Sequence, residues 1–200
     1  GKRLSRDTFA VPASKLTLAW QVPGLSHADA PALELLSTIL GGGHSSRLYQ
    51  SLREQKGLCL HIASWAWITA QETGLFSVSA EAPTEQRDEL EAAIHSEIQQ
   101  LCGDDLDEEL AKAKRICLVS QFKTLTTASG RASDLASNWH ETRTLNYTKN
   151  FLTAVDKVTS ADIRRVCKSY LLDDSKLTIT SLDPEKTIEK VHISKQSQSS

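Results

Sequence analysis

The spacing of apolar side chains changes several times along the chain, and each change marks an element. Residues 1–13 carry no clear pattern. From Lys15 to Val22, Leu16, Leu18, Trp20 and Val22 alternate with other residues, which is the period of a half-buried strand, and Pro23-Gly24 stops it. From Ser26 to Leu40 the spacing becomes helical. Leu33, Leu36, Ile39 and Leu40 share a stripe that ends at Gly41-Gly42-Gly43. Ser45 or Ser46 is placed to cap a second helix carrying Leu48 and Leu52, and Gly57 ends it. Leu58–Ala70 and Gly74–Ala82 read as strands. The short polar link Gln71-Glu72-Thr73 makes an antiparallel hairpin the simplest pairing.

From Pro83 the period stays helical almost to Leu172. Leu90, Ile94, Ile98 and Leu101 line one helix, and Gly103-Asp104-Asp105 breaks it. Asp107 opens a second helix through Leu110, Ala113, Cys117, Leu118 and Phe122. Residues 128–143 and 147–157 form two more. Thr159-Ser160-Ala161-Asp162 has the form of an N-cap with an acidic first turn. Lys176–Leu182 is a closing strand. The order strand, two helices, hairpin, helical block, strand predicts an α+β two-layer sandwich, a mostly antiparallel or mixed sheet with helices on one face. Residues 15–183 read as a single domain, 1–14 as a leader or linker remnant, and the Ser/Gln-rich 184–200 as a flexible tail.

Charge narrows the partners. The formal net charge is −2 and basic residues are interleaved with acidic ones, which leaves no electrostatic footprint for nucleic acid or an anionic membrane. No apolar run approaches the ~20 residues that span a bilayer. Cys59, Cys102, Cys117 and Cys167 have no C-x-x-C spacing and read as small buried hydrophobes. The chain begins at Gly1 and contains no methionine, as a piece of a longer or processed protein would, so compartment is not readable from it.

Candidate chemistry is sparse. None of His27, His44, His61, His95, His140 and His192 falls in an arrangement that sets two imidazoles one turn apart with a glutamate, so no metal ligand set is predicted. The Gly41-Gly42-Gly43 run lacks the Lys-Ser/Thr ending of a phosphate loop. It reads first as helix punctuation and second as a substrate-facing loop. Ser45 and Ser46 beside His44 lack a nucleophile elbow. Trp65 and Trp67 share a strand face and read as core or as a covered partner interface.

One segment is specific: Leu40-Gly-Gly-Gly-His-Ser-Ser-Arg-Leu-Tyr-Gln-Ser-Leu-Arg-Glu-Gln-Lys-Gly-Leu58. It closely resembles the second-domain signature of M16 zinc peptidases (pitrilysin, insulysin, mitochondrial processing peptidase). Val22-Pro23-Gly24, Gly74-Leu75-Phe76, Asp107–Lys114 and Val158–Ile163 extend the resemblance in order over about 15–182. The resemblance implies paired α/β domains closing around a peptide. A catalytic domain holds zinc through H-x-x-E-H, and a facing domain lacks that motif and contacts substrate through an Arg–Tyr pair. Arg53 of Leu52-Arg53-Glu54 matches the arginine, and Leu60 stands where the tyrosine is expected. An ion pair of Arg53 with Glu54 is the structural alternative.

On this resemblance the chain is expected to bind no cofactor, with zinc in the partner catalytic domain, on the same polypeptide or a separate subunit. The candidate substrate contacts are Arg53, Gly41, Gly42 and Gly43. Peptide substrate is an expected partner, a homodimer is possible, and nucleic acid and membrane are not expected. The family resemblance points to bacterial cytoplasm or periplasm. The rival reading is a pseudopeptidase or scaffold subunit acting through protein–protein contacts.

Overall fold

The computed structural model describes residues 1–69 and 73–185. Five strands form one sheet: β1 (Arg3–Phe9), β2 (Ser14–Pro23), β3 (His61–Trp67), β4 (Thr73–Ala82) and β5 (Leu177–Pro184). Their spatial order is β1-β5-β2-β4-β3. The pair β1–β5 is parallel and the other three are antiparallel, in registers such as Leu18 opposite Val78 and Ile179. This is the mixed-sheet α+β architecture that the pattern predicts, with the helices on one face. Residues 70–72, most of the expected hairpin link, and 186–200, most of the expected tail, lie outside the described residues.

Alternation decides which face is covered. Leu16, Leu18, Trp20 and Val22 of β2, Phe76, Val78 and Ala80 of β4, Ile62 of β3, and Leu177 and Ile179 of β5 are all buried under the helices. Trp20 and Phe76 meet edge to face at 6.4 Å. The opposite face carries Thr17, Gln21, His61, Trp65, Trp67 and Leu75. Trp65 and Trp67 are therefore not core in this chain; they are 45% and 64% exposed.

Helix α1 (Ala30–Gly41) sits at the centre of the helical layer, touching β3, α3 (Asp107–Leu125), α5 (Tyr147–Lys157) and α6 (Ser160–Val166). Its enclosure buries Leu35 as well as the predicted stripe, because a helix surrounded on most sides is apolar on most sides. Helix α2 (Arg87–Leu101) buries Leu90, Ile94, Ile98 and Leu101 completely, as their spacing predicts. Thr159 and Asp162 form a reciprocal capping box at the start of α6.

Three features depart from the pattern. Residues 3–9 form a strand, although all seven are exposed; pairing with β5, and not burial, specifies it. Of the apolar series on α3, only Leu110 and Ala113 are buried. Helix α4 (Ala128–Thr142) packs on α3 and α5 and leaves Leu118 and Phe122 outside that packing. Cys59, Cys102 and Cys167 are buried, whereas Cys117 is half-buried.

A buried carboxylate ties the ends of the helical layer together. Asp29, 6% exposed at the start of α1, accepts bonds from both terminal nitrogens of Arg165 (3.1 and 2.6 Å) and from the Tyr170 hydroxyl (2.8 Å). Arg165, and after it Tyr170, hold the Asp29 carboxyl below its ordinary 3.8. Burial and this same bond push the Tyr170 phenol up to about 12. A depressed folded-state value means that the charged carboxylate contributes stability above the unfolded-state value, and that the contribution disappears as pH falls through the folded-state value. Asp29→Asn should therefore be clearly less stable than the parent at pH 7. Urea midpoints measured from pH 7 down to 2 should converge below about 3.8. A gap that stays constant with pH would contradict this assignment.

Candidate functional site

The Gly-rich turn and the helix after it are built against β3. A Cβ on Gly41 would lie 2.1 Å from the Ser64 backbone nitrogen and 2.7 Å from the Ala63 carbonyl carbon. The last turn of α1 can thus rest directly on β3 only with glycine there. A Cβ on Gly42 would lie 2.6 Å from the Thr38 carbonyl oxygen of its own helix, while Gly43 has φ +96° and is open. The Ser64 hydroxyl completes the contact by donating to the Ser37 carbonyl, 2.8 Å away.

Neither Ser45 nor Ser46 caps the next helix through its side chain. The Ser46 hydroxyl turns back to the Gly43 carbonyl at 2.7 Å, and Ser45 is taken by Lys112. The helix runs as a wide turn from Tyr49 to Gln55, buries Leu52 and stops at Gly57, whose φ is +63°.

Arg47 fixes this helix to α3. Its Nε and Nη2 donate to the two oxygens of Glu109 at 2.7 and 2.8 Å, and its Nη1 to Asp104 at 2.5 Å. The bidentate geometry is the one guanidinium favours, and it holds the Arg47 pKa above its ordinary value. The Ser-Ser-Arg-Leu segment and the Asp107–Lys114 segment are thereby one structural unit. Lys112, through Ser45, adds a second link between them.

Arg53 faces outward from the same helix. Its Nε donates to the Leu60 carbonyl at 2.8 Å and its Nη1 to Glu54 at 2.5 Å, so the ion pair with Glu54 is present. Nη1 also donates to the Tyr49 hydroxyl, and the guanidinium stands 4.8 Å from the Tyr49 ring centre. Position 60, where the resemblance places a phenol, contributes only its backbone carbonyl to Arg53. The phenol beside Arg53 comes from one turn earlier in the same helix. An i, i+4 reading of the helix surface could have found Tyr49 in the sequence.

Past Leu60, His61, Ala63 and Trp65 of β3 line a hollow of about 300 Å³ with Thr17, Ser79 and the Lys15–Glu81 ion pair. A second hollow, about 520 Å³, lies on the same sheet face along Trp67, Leu75 and Gln21. The histidines do not converge: His27, His44, His61, His95 and His140 occupy separate elements, and His192 is outside the described residues. Among the described residues no three His, Cys, Asp or Glu side chains group to hold a metal. None of the described helices is long and apolar enough to cross a membrane.

The sequence model of the family described as "Peptidase M16 inactive domain" matches residues 1–117, and the chain belongs to that family. It is 27% identical over 185 residues to an uncharacterized zinc protease of Streptomyces coelicolor. It is 28% identical over 172 residues to another from Mycobacterium bovis. These matches cover 86% and 84% of this chain but only 38% of each relative; the chain spans well under half the length of the curated relatives it matches.

Its fold is shared with a protease from Helicobacter pylori (TM-score 0.82, 24% identity, 90% of this chain and 44% of that one). It is also shared with an inactive peptidase domain from Bordetella parapertussis (0.81, 19%, 93% and 98%) and with a chain of complex III from Candida albicans (0.76, 17%, 91% and 46%).

If the Gly41–Ser64 approach sets the position of the site, Gly41→Ala should cost about 2 kcal/mol by overpacking against backbone. Gly103→Ala, with its nearest contact 3.7 Å away, should stay within about 0.5 kcal/mol of the parent. Urea unfolding of both variants checks this, and equal midpoints would refute it.

Proposed function

We propose that the chain is the non-catalytic half of a clamshell zinc metalloendopeptidase, and that it closes over peptide substrate held against a catalytic domain. That domain, on the same polypeptide or on a separate subunit, would carry H-x-x-E-H and the zinc that activates water for attack on the peptide bond. The observation that carries the reading is the outward-facing Arg53, set at the end of an edge strand whose open sheet face bears exposed Trp65 and Trp67. Arg53 offers a donor to a peptide carbonyl. The sheet face offers an apolar wall with hollows the size of side chains. The glycines remain candidate contacts through Gly42 and Gly43, which are exposed, while Gly41 is buried against β3.

The zinc-protease names of the relatives support the hydrolytic reading. Their greater length supports a further domain, and a second copy of this chain is the alternative closing partner. A scaffold role draws support from two observations: Leu60 offers no side-chain donor, and a chain of complex III from Candida albicans shares the fold.

The two readings separate in one assay. The chain alone should leave an unstructured fluorogenic peptide uncut. Mixed with or joined to its H-x-x-E-H half, it should give chelator-sensitive cleavage at least tenfold above that half alone. A catalytic half that works equally well without this chain, or a pair that stays inactive with zinc bound, would favour the scaffold.

A further inference from the structure

We infer that Cys102 and Cys167 form a covalent modification site, a buried dithiol that a small-molecule disulfide converts into an internal crosslink. The Cys102 sulfur lies 3.2 Å from that of Cys167. A bond requires the two to close by only about 1.2 Å more. Cys59, just before β3, and Cys117, in the middle of α3, have no second sulfur in reach among the described residues.

The two cysteines meet because two elements end at one place. Cys102 follows the last residue of α2, and Cys167 opens the wide turn Cys167–Leu171 after α6. The Cys102 amide bonds to the Gln99 carbonyl at 3.3 Å, which tightens the final turn and leaves the Ile98 carbonyl to the thiols. Cys167 donates to that oxygen at 3.6 Å, and Cys102 lies 3.5 Å from it.

The scaffold holds both sulfurs in register. Leu101, Leu106, Val166 and Leu171 are fully buried around them in sequence, and Arg164 Nη1 donates to the Asp104 carbonyl at 2.9 Å across the same junction. Two sulfurs fixed in contact encounter each other far more often than either encounters a thiol in solution, which favours closure within the chain.

Exposure sets the order of events. Cys102 is 7% exposed and Cys167 fully buried. Burial pushes the Cys167 thiol well above its ordinary value, and the Cys102 sulfur adds to this. The Cys102 thiolate therefore attacks one sulfur of a small disulfide such as oxidised glutathione, forming a mixed disulfide and expelling one thiolate. The Cys167 thiolate then attacks Cys102 Sγ and expels the second. The two protein thiols lose two electrons and two protons, and the small disulfide gains them as two thiols. The new bond closes a separation of 65 residues that contains α3, α4, α5 and α6. The stability of the helical layer then follows the thiol–disulfide state of its surroundings.

The test is refolding of the chain from urea in glutathione buffer, so that burial does not limit access, with about a tenfold excess of the reduced form. The intact mass should fall by about two units, and peptide mapping should join Cys102 to Cys167. The thermal midpoint should rise by about 10 °C over the same chain kept in a strong dithiol reductant. Cys102→Ala should abolish the mass change and the rise. A chain carrying Cys59→Ala and Cys117→Ala should show both in full, and this reads the pair even where Cys102→Ala does not fold. A refolded chain with four free thiols, a crosslink through Cys59 or Cys117, or a lasting glutathione adduct at Cys102 would overturn the inference.

Discussion

The close approach of α1 to β3 is the constraint from which the rest of this surface follows. With a side chain at position 41 the last turn of α1 would have to lift off the strand. The turn Gly42–Ser46, the helix after it and the Arg53 anchor at Leu60 would move with it. Glycine costs conformational entropy inside a helix, and here that cost is offset by a backbone-to-backbone contact that no other residue permits. The Arg47–Glu109 clamp then locks the far side of the same helix to α3. Between these two contacts, Tyr49 and Arg53 have little room to wander.

Much of the fold was legible because burial and periodicity coincide where one face of an element is covered. β2 alternates along its full length, and α2 carries its four buried residues at helical spacing. The Thr159 cap is visible letter by letter. β1 was not legible because it is an edge strand with every residue exposed; each residue's partner is 175 residues away in sequence, and nothing local encodes that pairing. The outer half of α3 misled in the opposite direction, with apolar spacing that nothing in the described residues covers. Trp65 and Trp67 did the same.

The site was half legible. Arg53 and its ion pair with Glu54 follow from adjacent letters. The resemblance expects a phenol seven residues on, where Leu60 stands; the phenol that lies beside Arg53 is that of Tyr49, four residues back on the same helical surface. The Arg47–Glu109 pair spans 62 residues, and no spacing rule reaches that far. Two of the segments that carry the family resemblance, 40–58 and 107–114, are joined by this pair, which gives a packing reason for their occurring together.

Among the described residues no three His, Cys, Asp or Glu side chains group to hold a metal, and the matching family model is described as the inactive domain. The most direct measurement of the central claim is zinc content per chain, on protein stripped of metal, resupplied with zinc and dialysed. The account predicts far less than one equivalent retained, together with unfolding that does not respond to a chelator. One tightly held zinc per chain, lost to the chelator with a fall in stability, would contradict it.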